Sequence, residues 1–207
     1  MTAAPERPAP FEFSGGALCL DFANTLGDRP RSAKETLSGP QDLLRWAGEA
    51  GILEVAERGR LERAADGHPR AAREAFRRAI ALREVLYRVF SGLAAGDRPA
   101  EGDLEDVNRA LRTALEHLRI EARGEGFEWA WSAAGTGLDP VLWRVARSAA
   151  ELLTSADVAR VRECAAETCG WLFLDRSHAR RRRWCDMKTC GNRAKARRHY
   201  RRKRRTT

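Results

Sequence analysis

The sequence predicts a mainly α chain of the α+β class: a helical amino-terminal domain with a small β-hairpin, followed by a short module built on four cysteines. Three observations predict it. Apolar residues recur at three- and four-residue steps through much of the first 158 positions, the period of helices packed on a core. Around residues 118–132 that period gives way to partial alternation about Gly124-Glu125-Gly126, which reads as a hairpin. Finally, four of the five cysteines crowd between positions 164 and 190.

At the amino terminus, residues 1–10 carry three prolines and little else and are expected to form a flexible arm. In residues 11–25, Leu18, Leu20 and Phe22 alternate with Ala17, Cys19 and Asp21, which suits a strand, although the start of a buried helix suits it too. Asp21 and Asn24 lie among apolar neighbours, where such groups satisfy backbone at a turn or hold a small ligand. The lone Cys19 reads as a small core residue. Pro40 is placed to open a helix whose face is Leu43, Trp46, Ala47 and Ala50, and Gly51 closes it. Residues 52–65 read as a weaker helix interrupted by Gly59. Residues 71–93 carry the longest stripe, from Ala72 through Phe76, Ala79, Leu82, Leu86, Val89 and Phe90 to Leu93. Leu104, Val107, Leu111, Leu115 and Leu118 mark the next helix. In the hairpin, Trp129 and Trp131 fall on one sheet face, either as packing against helices or as a stacking platform for bases. Asp139-Pro140 opens a last body helix, expected to run straight on towards Arg162 and Cys164 and so to link body and module.

The cysteines form two Cys-x4-Cys pairs, Cys164/Cys169 and Cys185/Cys190, each ending in Thr-Cys-Gly. Two disulfides would need an oxidising compartment, and the amino terminus shows no secretion signal. Paired thiols in a cytosolic chain point instead to metal. Four thiolates complete the tetrahedron zinc prefers and leave no open position, so the expected cofactor is one structural Zn2+. Trp171–Leu174 reads as a short strand, with Arg181–Trp184 expected to return beside it and a helix to start after Cys190. Knuckle, hairpin and helix together make a treble-clef-like arrangement.

Charge separates the two parts. From Arg160 onward there are seventeen Lys/Arg against four Asp/Glu, a net of +13, while the remainder carries −4 and the chain +9. The terminal helix has no wide apolar stripe, and residues 193–205 contain no acid. Such asymmetry implies a polyanionic partner. A membrane surface fits less well, because few large apolar residues accompany the cations. No apolar run is long enough to span a bilayer. With no targeting segment read in the sequence, the chain is expected in the cytoplasm, associated with the nucleoid.

The run Cys190-Gly191-Asn192-Arg193, with Arg182-Arg183-Trp184-Cys185 and Gly170-Trp171-Leu172-Phe173 before it, resembles the CGNR zinc-finger family. Residues 11–25, from Phe11 to Thr25, are similar to the start of the ABATE-type domain that accompanies this finger. The resemblance implies a stress-induced transcriptional regulator whose four cysteines bind zinc and whose finger contacts DNA. It divides the chain into residues 1–10, 11–158 and 159–207. Asp186 departs from the family pattern, where a small polar residue is expected.

The expected function is accordingly a zinc-finger DNA-binding regulator, its helical domain sensing a small-molecule effector or forming a homodimer. The nucleic-acid contacts expected are Arg181, Arg182, Arg183, Arg193, Lys195, Arg197, Arg198, Arg201 and Arg202, most of them to phosphates. RNA binding is the nearest alternative. No catalytic residue is expected. The histidines are His68, His117, His178 and His199, without a His-x-x-x-His or nucleophile motif. A metal-dependent nuclease using His178 or His199 is the enzymatic alternative, and a small-molecule-binding body the other.

Overall fold

The computed structural model describes residues 10–132 and 137–204, with the backbone alone for residues 199–202. The 1–10 arm lies outside the described residues except for Pro10, which is exposed.

The body is built on α4 (Pro69–Ala95), about 40 Å long at 1.5 Å per residue. Its predicted stripe is buried at Ala72, Ala79, Leu82, Leu86, Val89 and Phe90. It ends where Gly96 takes φ +91°, a left-handed cap that favours glycine. Around it pack α1 (Leu18–Ala23), α2 (Pro40–Glu49), α3 (Val55–Gly67), α5 (Glu101–Leu115) and α6 (Asp139–Leu153). Of the two readings of residues 11–25, the helix holds. All of Cys19–Ala23 is buried, so a wholly internal segment reads as alternating when it is not. Burial pushes the Cys19 thiol up to about 12 and keeps it a core residue. Gly59 does not interrupt α3, which runs unbroken past it.

Two short antiparallel ribbons complete the body: β1 (Leu26–Gly27) with β2 (Lys34–Glu35), and β3 (Leu118–Arg123) with β4 (Gly126–Trp131). The predicted hairpin is thus present, and its inner end packs on helices, with Arg147 of α6 reaching over the Trp129 ring at 5.4 Å. Trp131 lies 6.1 Å from Trp143 of α6, which stacks on His117 at 3.9 Å. Its outer end leaves Ile120, Phe127 and Trp129 exposed.

Between body and module the expected helix fails. α6 stops at Leu153, and Ser155 then caps a 3-10 turn over Ala156–Arg160 by accepting from the Asp157 N–H at 3.2 Å. A capping serine offers the backbone a partner outside the helix, which is why the chain turns there. The chain then enters β5 (Val161–Glu163), antiparallel to β6 (Leu172–Leu174). β6 therefore pairs with residues before the first cysteine, and Arg181–Trp184 does not form the expected return strand.

The β5–β6 ribbon lies against the body. Val161, Leu172 and Leu174 join the main core, whereas Phe173 points the other way and packs among the cysteines. Period-2 alternation sends successive residues to opposite faces, so one three-residue strand serves two cores.

Candidate metal centre and basic helix

The first cysteine pair sits in the loop of the β5–β6 ribbon, whose last rung is the Cys164 N–H donating to Trp171 O at 2.8 Å. Cys169 follows a turn, and Gly170 then takes φ +71°. A side chain at Gly170 would also meet Pro30, Tyr87 and Arg29 at 3.2–3.4 Å, so this glycine answers both a turn and a close approach to the body. The second pair is held by a π-type turn over Met187–Gly191, from which α7 (Asn192–Lys203) starts. At Gly191 a Cβ would lie 2.8 Å from Sδ of the exposed Met187, whose flexible side chain could move aside. Asp186, the departure from the family pattern, caps this turn by accepting from the Thr189 N–H at 2.8 Å and its hydroxyl at 3.1 Å.

These two turns bring Cys164, Cys169, Cys185 and Cys190 together, all buried, with their sulfurs within 4.8 Å of one another. Cys169 and Cys185 are 3.6 Å apart and Cys185 and Cys190 3.7 Å. Zinc–sulfur bonds of about 2.3 Å in a tetrahedron place sulfurs roughly 3.8 Å apart, so the donors fit that ion. None of the five cysteines is in a disulfide. Among the bare thiols, hydrogen bonds from Cys169 and then Cys185 hold the Cys164 thiol far below its usual range. Acting as donors to Cys164 pushes Cys169 and Cys185 up. A central dication removes that competition by binding all four as thiolates. The group is a site for one structural Zn2+, with no position left for substrate.

A further ring of contacts fixes the module. Asp175 is buried and accepts from the Ser177 N–H (3.0 Å) and hydroxyl (2.6 Å) and from the Arg182 N–H (2.9 Å). Burial opposes its ionisation, but these donors outweigh it and hold the carboxyl below its usual range. Arg182 folds inward over the Phe173 ring at 4.6 Å and donates to the carbonyls of Trp184 and Cys185. Arg193 donates to Cys190 Sγ at 3.5 Å, and Arg197 pairs with Glu167 at 3.2 Å, tying α7 to the first knuckle.

The candidate contact residues therefore divide. Arg181, Arg183, Arg193, Lys195 and Arg198 are exposed on the zinc-side loop and on α7. Arg197 is half-buried, and Arg182 is engaged in propping the second cysteine turn. The side chains of Arg201, Arg202 and His199 lie outside the described residues.

Sequence reasoning missed the join to the body. Asn24 is almost fully buried and binds the backbone of Leu172 on β6 twice: its Nδ2 donates to Leu172 O and its Oδ1 accepts from the Leu172 N–H, both at 2.8 Å. The side-chain amide thus acts as one more strand residue beside β6. Its polarity in an apolar run was the available signal; its partner, 148 positions away, was not.

A family described as "Putative stress-induced transcription regulator", the ABATE family, matches residues 16–156, and the CGNR zinc finger matches residues 160–203. Among curated proteins no match was found. Among the described residues, no helix is long and apolar enough to cross a membrane. The first match covers more than half of the 207 residues, and the second falls on the four-cysteine site described above. The chain belongs to the ABATE family and carries a CGNR zinc finger over residues 160–203.

Proposed function

We propose that the chain is a transcriptional regulator whose zinc-held module binds double-stranded DNA in the cytoplasm, at the nucleoid, with the helical body as a sensing or dimerising unit. The observation that carries this reading is the set of exposed cations, Arg181, Arg183, Arg193, Lys195 and Arg198, on the segments that flank the metal ligands Cys185 and Cys190. Arginine's planar fork grips phosphate or guanine through two hydrogen bonds, which suits that partner. A tetrathiolate ion is complete without substrate, so the reading assigns the finger no catalytic step.

The test is binding of the zinc-loaded protein to labelled duplex across a salt series. Neutralising about six phosphates gives a slope of log affinity against log salt near −5, and a flat response overturns the reading. Structured RNA as competitor separates the two nucleic acids, since phosphate contact alone does not. Cleavage that disappears in His178→Ala would replace the reading with a nuclease.

A further inference from the structure

A cleft of about 410 Å³ lies where the body meets the finger, and both contribute its walls. Asp21, Lys34 and Trp46 come from the body, and Trp171 and Arg193 from the finger. Three of the four metal-binding cysteines, Cys169, Cys185 and Cys190, also line it, so the cleft opens directly beside the site of the ion.

We propose that this cleft binds a small planar aromatic monoanion, its ring against Trp171 and Phe11 and its carboxylate held by Arg193 and Lys34. The donors decide the sign of the ligand. The Trp171 indole N–H and the Lys34 ammonium have no acceptor among the described residues, and Arg193 has only the weak Cys190 sulfur at 3.5 Å. A carboxylate satisfies all three and forms charge-assisted bonds to two of them. The acids in the same lining set a limit. Asp21 is already taken by the Gly15 N–H at 2.7 Å and the third cation of the lining, Arg45, by Glu49 at 3.0 Å, but Glu12 and Asp28 also face the cleft and would repel a polyphosphate. One negative charge therefore fits better than several. The aromatic walls supply the remaining recognition: Trp171 and Phe11 are half-buried and both line the cleft, one face of the Phe11 ring being covered by the Arg45 guanidinium at 4.1 Å.

The position gives the site a consequence. Arg193 belongs both to this cleft and to the exposed cations at the start of α7, so an anion that engages it withdraws it from a phosphate. For this consequence alone, the inference rests on the nucleic-acid reading. Coupling of this kind is reciprocal: the factor by which ligand weakens duplex binding equals the factor by which duplex weakens ligand.

Naphthoate is the probe, titrated into the 15N-labelled, zinc-loaded full chain while the six tryptophan indole signals are followed. The Trp171 and Trp46 signals, assigned by Trp171→Phe and Trp46→Phe, should shift saturably while those of Trp129 and Trp131 stay fixed. Arg193→Gln and Lys34→Gln should each weaken the interaction by about tenfold, as expected for loss of one charge-assisted bond. Lys34 lies on β2 of the body and is neither a metal ligand nor bonded to one, so its variant keeps the test valid should Arg193→Gln disturb the finger. The inference is overturned if naphthoate moves neither indole, if both variants bind as the parent does, or if naphthylmethylammonium binds equally well. None of these readouts involves DNA. A chain that bound naphthoate but no duplex would refute the nucleic-acid reading and leave the cleft assigned.

Discussion

Replacing Asn24 by alanine should loosen the finger from the body without touching a metal ligand. Its amide makes two hydrogen bonds of 2.8 Å to the main chain of Leu172, and both residues are buried. Truncation leaves the Leu172 N–H and C=O without partners, each costing about 1–3 kcal/mol when water cannot reach it. Taking about 3 kcal/mol in all, a chain of this size should lose roughly 6–12 °C in Tm. Asn24→Asp should be no better near neutral pH, because a carboxylate still accepts from the N–H but faces the Leu172 carbonyl. Acidification should restore part of the loss by giving that carboxyl a proton to donate. Thermal unfolding measures the cost, and hydrogen exchange at Leu172 locates it, while metal content should remain one zinc per chain. A Tm within about 2 °C of the parent for Asn24→Ala would refute the reasoning, since it would mean the two backbone groups find other partners.

Other perturbations reach the remaining parts. Removing zinc with a chelator should abolish exchange protection across residues 164–203 while α4 stays protected, because structural zinc contributes on the order of 10–16 kcal/mol to such modules. Unchanged protection in the apo chain would count against the metal assignment. Arg83 is 2% exposed and held by Glu35 at 2.7 Å and Glu84 at 2.9 Å, so Arg83→Ala should cost about 3 kcal/mol by denaturant unfolding. Glu35 and Glu84 resist protonation because their bonds to Arg83 and Arg29 outweigh burial. Their folded pKa values are depressed, so their contribution is present above the usual glutamate range and disappears as pH falls through the lowered values. Asp21 has the opposite sign. Burial raises it from 3.8 to about 6 against the N–H groups of Gly15 and Ser14. The stability it confers is full below 3.8 and is lost as pH rises through about 6. Asp21→Asn should therefore flatten that part of the stability–pH profile, worth on the order of 2–3 kcal/mol.

Legible in the sequence is whatever repeats locally. The α4 stripe, Pro40 and Gly51 at the ends of α2, the β3–β4 hairpin and the two Cys-x4-Cys pairs each carry their signal within a few residues. Features that join distant segments are not legible. β5 is three residues long, too short for alternation to register, so the pattern favours pairing Trp171–Leu174 with the more conspicuous Arg181–Trp184. Arg182 reads as one more surface cation in an arginine run, yet the carbonyls of Trp184 and Cys185 turn it inward. Composition locates a basic surface; it does not say which members of it are already engaged.

β6 has one residue facing the thiolates and two facing the helices. A fragment beginning near residue 160 would bare Leu172 and Leu174 to water, and a body ending there would lack the lid over its own interior. Each half should be less soluble and less stable by itself than in the joined chain, so the two units are best engineered as one. Grafting the finger onto another protein would require carrying α1 along with it.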